Sequence, residues 1–239
     1  MSFSEPSEHA GTKQKILDAA INAFAQKGYR EVTIAEICGL AGVNIALVNY
    51  YFGSKKNLYV EAWRKAFDRG IEKHPPEERA SGDQNPEQRL KTRIASLMRR
   101  IFDNDTREFE IVRHELACPT GELWEAHEKT IGPFRRETFK VVREILGPAA
   151  TMDQAVLALF TVISPVLHMI HRVKRDNNSN DPRIPPPGLL EVRDPEMMIE
   201  HTLRFVMAGL EEMKKGIEAG NWPHMELSDD FIEKFRFDG

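Results

Sequence analysis

The stretch Val43-Asn-Ile-Ala-Leu-Val-Asn-Tyr-Tyr-Phe-Gly-Ser-Lys-Lys-Asn-Leu-Tyr59 decides how this chain is read. It sets two tyrosines and a phenylalanine just ahead of a Gly-Ser-Lys-Lys turn, in a segment too short to form a core of its own. Just upstream, Thr33-Ile-Ala-Glu36 has the spacing of a capping box, the Thr hydroxyl accepting from the Glu36 N–H while the carboxylate returns to the Thr N–H. Ile34, Ile37 and Ala41 then face inward, Ala41-Gly42-Val43 makes a tight turn, and Asn44 caps a helix of only about two turns. Two short helices around a glycine turn, with Ala41, Val43 and Val48 packed between them, form a helix-turn-helix. A helix that lies in a DNA major groove needs no core of its own, because its neighbours support it.

The aromatic residues divide by direction. Phe52 is expected to pack inward, while the Tyr50 and Tyr51 hydroxyls can reach phosphate oxygens. Ser54-Lys55 presents a helix N-terminus and a lysine to the same backbone, and Thr33 does likewise at the preceding helix. Thr33, Tyr50, Tyr51 and Lys55 are thus the expected phosphate contacts, which position a protein on DNA without reading its sequence.

Thr33-Ile-Ala-Glu-Ile through Val43, followed by Val48-Asn-Tyr-Tyr-Phe-Gly-Ser-Lys-Lys-Asn-Leu58, resembles the signature of the TetR family of one-component transcriptional regulators over about residues 12–60. The resemblance implies that Ile45, Ala46, Leu47 and Asn49 read bases, and it places Thr33, Tyr50, Tyr51 and Lys55 on phosphates. Many members carry Lys or Ser/Thr at the positions of Ile45 and Leu47. Apolar side chains there can meet thymine methyls, so an A·T-containing operator is expected. Arg113-His-Glu-Leu-Ala-Cys-Pro-Thr120 is similar to a subgroup with a Pro-Thr element at the start of a ligand-domain helix.

Composition agrees with a partner that touches one end of the molecule. The 239 residues carry a net charge of −4, with 41% hydrophobic and 29% charged residues, enough for a substantial core. Lys13 to Arg69 holds nine Lys/Arg against five Asp/Glu, a local +4, which leaves −8 for the remainder. The N-terminus has acidic residues and no apolar signal region, so the chain is expected in the cytoplasm. Ala155 to Ile170 is apolar but short and interrupted, as in a buried helix, so no membrane partner is expected. Cys38 and Cys118 stand alone and read as reduced thiols.

Helical spacing runs almost throughout, so the chain reads as all-α. A first helix is predicted over 13–27, with Thr12 as cap and Gly28 as a left-handed stop. A polar break over 74–85 suggests two modules: an N-terminal three-helix DNA-binding domain, 1–70, and a larger helical effector-binding and dimerisation domain, 71–239. Further helices are predicted near 86–102, 106–117, 121–146, 152–173 and 195–219, with a 20-residue loop from Lys174 to Arg193. Gly132-Pro133 and Ser164-Pro165 are expected to kink two of them.

The last two helices carry broad apolar stripes: Val156, Leu159, Phe160, Ile163, Leu167 and Ile170 on one, Met198, Thr202, Phe205, Gly209 and Met213 on the other. Such a pair can bury one edge in its own domain and the other against a second copy, the four-helix dimer interface that the family resemblance also implies. Dimerisation has a physical motive, since one short helix reads too few base pairs and two copies about 34 Å apart read a palindrome. Aromatic, Met and convergent polar residues, namely Met98, Phe102, Phe109, Arg113, His114, Trp124, Phe134 and His168, suggest a site for a small, largely apolar effector. A metal-dependent enzyme or metal sensor built on His114, Cys118, His168 and His171 is the alternative, but no HExxH, CxxC or carboxylate cluster supports it. The sequence therefore predicts a homodimeric, ligand-responsive regulator on a palindromic double-stranded operator, a repressor without catalysis, cofactor or metal.

Overall fold

The computed structural model describes residues 6–76, 85–170, 194–223 and 226–228, and among them every regular element is a helix. In chain order these are α1 (Pro6–Glu31), α2 (Ile34–Ala41), α3 (Ile45–Phe52), α4 (Lys55–Lys73), α5 (Pro86–Phe102), α6 (Glu108–Ala117), α7 (Trp124–Leu146), α8 (Met152–Ile170) and α9 (Pro195–Glu218). They form two compact units that are not contiguous in sequence. The first joins Met1–Lys73 with Asp103–Glu128, and the second joins His74–Phe102 with Lys129–Gly239. The sequence reading set one boundary at residue 70; in the fold the segment of α6 and the start of α7 returns to the first unit.

In the first unit, local chemistry accounts for both ends of α2 and for the starts of α3 and α4. Thr33, extended at φ −106° and ψ 153°, caps α2 by accepting from the Glu36 N–H at 3.1 Å. Glu36 sits below the usual carboxylate range, held first by the hydrogen bond from the Lys27 ammonium at 2.6 Å. Gly42 ends α2 in the left-handed region (φ 67°, ψ 36°), and the Val43 N–H closes back on the Cys38 carbonyl at 3.0 Å. Asn44 then caps α3 through the Leu47 N–H at 3.0 Å, and Ser54 caps α4 through the Asn57 N–H at 3.1 Å. Asn44→Ala should lower the unfolding free energy by about 1 kcal/mol in urea titration, with the midpoint shifted and the slope unchanged.

α1 differs from expectation at both ends. α1 begins at Pro6, so Thr12 lies inside it and is not its cap. Proline suits a helix start, where its missing N–H would have had no partner, and Gly11 does not interrupt the helix. Gly28 does break it, but at φ 75° and ψ 174°, a positive-φ conformation outside the left-handed helical well. A Cβ there would meet the His114 ring at 3.1 to 3.2 Å, so both the backbone angle and the close approach of α6 require glycine. The core beneath is formed by Ile16, Phe24, Ile37, Leu58, Tyr59, Trp63 and Ile111, all fully buried.

In the second unit, α5 packs against α8 and α9. Asn85 and Asp194 cap α5 and α9 through the N–H groups of Gln88 and Met197, at 2.8 and 3.1 Å. α7 and α8 continue through Pro133 and Pro165. α8 is long and apolar enough to cross a membrane by composition, yet its inner face, from Gln154 through Val166, is buried in this unit. Of the residues expected at a dimer interface, Val156, Leu159, Ile170, Thr202 and Met213 are buried within the unit, and Ile163 and Met198 are half-buried. Phe160, Leu167, Phe205 and Gly209 are exposed, Phe205 at 70%. The 174–193 loop and His171 lie outside the described residues.

Candidate nucleic-acid interface

The chain turns by 105° between α2 and α3, within the range of a helix-turn-helix. Val48 and Phe52 anchor α3 to the first unit, and the opposite face is open. Ile45 is 49% exposed and Tyr50 73% exposed, with Ala46 and Asn49 also exposed and Leu47 half-buried. The four residues expected to read bases therefore share one short helix whose outward face carries no charge. The Asn49 side chain is the one group among them able to exchange paired hydrogen bonds with a base edge.

The groups expected at phosphates are placed less uniformly. Tyr50 stands edge-on to Tyr51 with ring centroids 5.1 Å apart, and Tyr51 is half-buried. Lys55 Nζ lies over the Tyr29 ring, 4.5 Å from its centroid, and burial lowers the pKa of its ammonium. Lys56, one residue on and exposed, forms an ion pair with Glu122 at 2.8 Å. The Phe52 carbonyl accepts from Ser54 N–H at 2.8 Å and from Asn57 Nδ2 at 3.0 Å, which holds the end of α3 against the start of α4. Exposed Leu40 on α2, Lys56 and Asn57 were not singled out by sequence reasoning, although Lys56 and Asn57 stand within the motif itself.

The residues suggested as an effector pocket fall in different units. Met98, Phe102, Phe134 and His168 belong to the second, while Phe109, Arg113, His114 and Trp124 belong to the first. Met98 is fully buried, whereas Trp124 is 70% exposed. For the metal alternative, His114 Nε2 lies 3.1 Å from the Ala25 carbonyl, and no group of three or more His, Cys, Asp or Glu is close enough to hold an ion among the described residues.

This geometry defines a helix-turn-helix transcriptional regulator. Residues 16–62 match the tetR family of bacterial regulatory proteins, and residues 86–210 match the C-terminal domain of the HTH-type transcriptional dual regulator CecR. The second match spans more than half of the chain, and the protein belongs to the TetR family, in the branch that carries this C-terminal domain. It is 25% identical to CecR of Shigella flexneri over 165 residues, 65% of this chain and 74% of that one. It is 40% identical to the regulator BetI of Brucella anthropi over 52 residues, 22% of this chain and 27% of that one. Two solved structures share the fold. The fatty acid degradation regulator FadR of Bacillus halodurans (TM-score 0.61, 16% identity) covers 82% of this chain and 98% of its own. AibR, in complex with isovaleryl coenzyme A and operator DNA (TM-score 0.58, 19% identity), covers 81% and 97%.

Proposed function

We propose that the protein is a cytoplasmic homodimer that represses transcription from a palindromic operator and is released by a small apolar effector. The observation that carries this reading is the exposed, uncharged face of α3, set at 105° to α2 by the Gly42 turn. Ile45, Ala46, Leu47 and Asn49 read the major groove, and Thr33, Tyr50, Tyr51 and Lys55 hold the flanking phosphates. Lys55 leaves the Tyr29 ring only at some cost, so its contribution comes through the helix N-terminus as much as through its ammonium. Dimerisation uses the exposed edge of α8 and α9, where Phe160, Leu167 and Phe205 remain open after the unit has buried its core. The protein acts without catalysis: effector binding favours a dimer whose two recognition helices no longer match adjacent major grooves.

The effector reading draws on the second unit, which carries the apolar side chains of Met98, Phe102 and Phe134. Because AibR holds an acyl-CoA in a related fold, short acyl thioesters belong in a thermal-shift screen beside aromatic compounds and polar metabolites. A hit is expected to weaken operator binding by about 5- to 150-fold; stabilisation by polar metabolites alone would remove the apolar assignment. The test of the whole reading is selection from random duplex DNA with the full-length protein, expected to yield two inverted half-sites. Asn49→Ala should relax preference at one base step in each half-site, at roughly 1–3 kcal/mol of discrimination. A selection that yields no common sequence, or one unaltered by Asn49→Ala, would remove the base-reading assignment.

A further inference from the structure

The Pro-Thr element has a place in the first unit that DNA binding by itself does not explain. Glu115, on α6, is the hub. Its carboxylate accepts from the Thr120 N–H at 2.9 Å, the Thr120 hydroxyl at 2.8 Å, the Gly121 N–H at 3.0 Å and the Tyr59 hydroxyl at 3.2 Å. Burial and then the Glu115 charge push the Tyr59 phenol well above its usual range, so it remains a donor. Thr120 Oγ1 accepts in turn from the Glu122 N–H at 3.1 Å, and Arg30 Nη2 donates to the Pro119 carbonyl at 3.2 Å. The turn over 119–122 is therefore tied to α1, α4 and α6, and what it presents outward is the Glu122 carboxylate, 2.8 Å from Lys56 Nζ.

Lys56 stands in the first turn of α4, two residues after the Ser54 cap, where unpaired N–H groups and lysines favour phosphate. An acid held rigidly on that lysine works against DNA binding, because a phosphate must displace a carboxylate that costs no ordering to keep in place. We infer that Glu122, positioned by the Glu115-anchored turn, is a built-in competitor for the DNA backbone that withholds Lys56 and keeps the protein's affinity for non-specific DNA low. Sequence-independent affinity comes almost wholly from phosphate neutralisation. A regulator that subtracts one cation per subunit from that term loses general affinity, while the base contacts that carry sequence preference stay intact. Glu115 is a positioning residue in this scheme, since it touches the turn and not the nucleic acid.

The inference rests on the placement of the α4 N-terminus against phosphate, and the experiment separates the two. The full-length protein and its Glu122→Gln, Glu115→Gln, Lys56→Ala and Glu122→Gln/Lys56→Ala variants are titrated into a random-sequence duplex of about three helical turns over a range of salt. Glu122→Gln is expected to tighten non-specific binding by on the order of 3- to 10-fold at low salt and to steepen the log–log salt dependence by about 0.9 per subunit. Glu115→Gln should shift both quantities in the same direction, and in the Lys56→Ala background the effect of Glu122→Gln should vanish. A merely structural role for the turn would lower the melting temperature and leave the slope unchanged. If Glu122→Gln changes neither quantity, or tightens binding equally with Lys56 absent, the competitor is overturned. If Glu122→Gln acts and Glu115→Gln does not, the positioning role of Glu115 is overturned. Failure of the wild-type protein to bind any duplex at low salt would overturn the interface together with the inference.

Discussion

Phe205→Asp is expected to give a folded protein that no longer dimerises and no longer holds an operator. Phe205 is 70% exposed on α9, so its replacement leaves the core of the second unit untouched. Ala208 and Gly209, one turn further on, are also exposed and lack the bulk that would keep a second helix away. In a two-fold interface the same patch meets itself, so a single substitution removes two aromatic anchors and sets two like charges in a desolvated seam. Aromatic anchors of this kind contribute roughly 2–4 kcal/mol each. The dimer dissociation constant should therefore rise at least about 100-fold, and operator affinity should fall towards the non-specific level, a loss on the order of 10³. Sedimentation velocity and gel shift measure the two effects, with thermal denaturation as the control for folding. A variant that stays dimeric and binds the operator normally would place the interface on another surface.

Trp63→Ala should produce the largest loss of stability, and its comparison with Trp63→Phe is the informative part. Trp63 is fully buried on α4, with its ring 5.9 Å from Phe67 and 5.6 Å from His127, so it joins α4 to the segment that returns from the middle of the chain. Truncation to alanine leaves a large cavity and should cost about 3–5 kcal/mol. Trp63 Nε1, however, is buried with no hydrogen-bond partner among the described residues. Phenylalanine removes that unsatisfied N–H along with one ring, and the two effects oppose each other, so Trp63→Phe should lie within about 1.5 kcal/mol of the wild type. Urea unfolding followed by circular dichroism tests both. A loss under about 2 kcal/mol for the alanine variant would mean that the first unit does not depend on this contact.

The regular structure was legible wherever its determinants are short-range. Thr33, Asn44, Ser54, Asn85 and Asp194 each accept from an N–H three residues on, so residue type and spacing are sufficient to place the cap. Thr12 misled because a cap-forming residue can also stand inside a helix, and Pro6 offered an earlier start. The four positions expected to read bases came from the family resemblance and not from helical period, which puts Ile45 close to the direction of Phe52; all four nevertheless lie outside the buried core of α3, Leu47 half-buried and the others exposed.

Residue type and spacing are therefore enough for the helices, for every cap but that of α1, and for the helix-turn-helix. Tertiary packing alone placed α6 and the Pro-Thr turn in the first unit. Their attachment to the first unit runs through His114 to the Ala25 carbonyl, 89 residues apart in sequence, and through Tyr59 to Glu115, 56 apart. It likewise decided which part of the stripe on α8 and α9 is core and which is open. Local spacing records a hydrogen bond across one helical turn; it holds no trace of which distant segment will supply a partner, because that choice is made by packing across the whole unit.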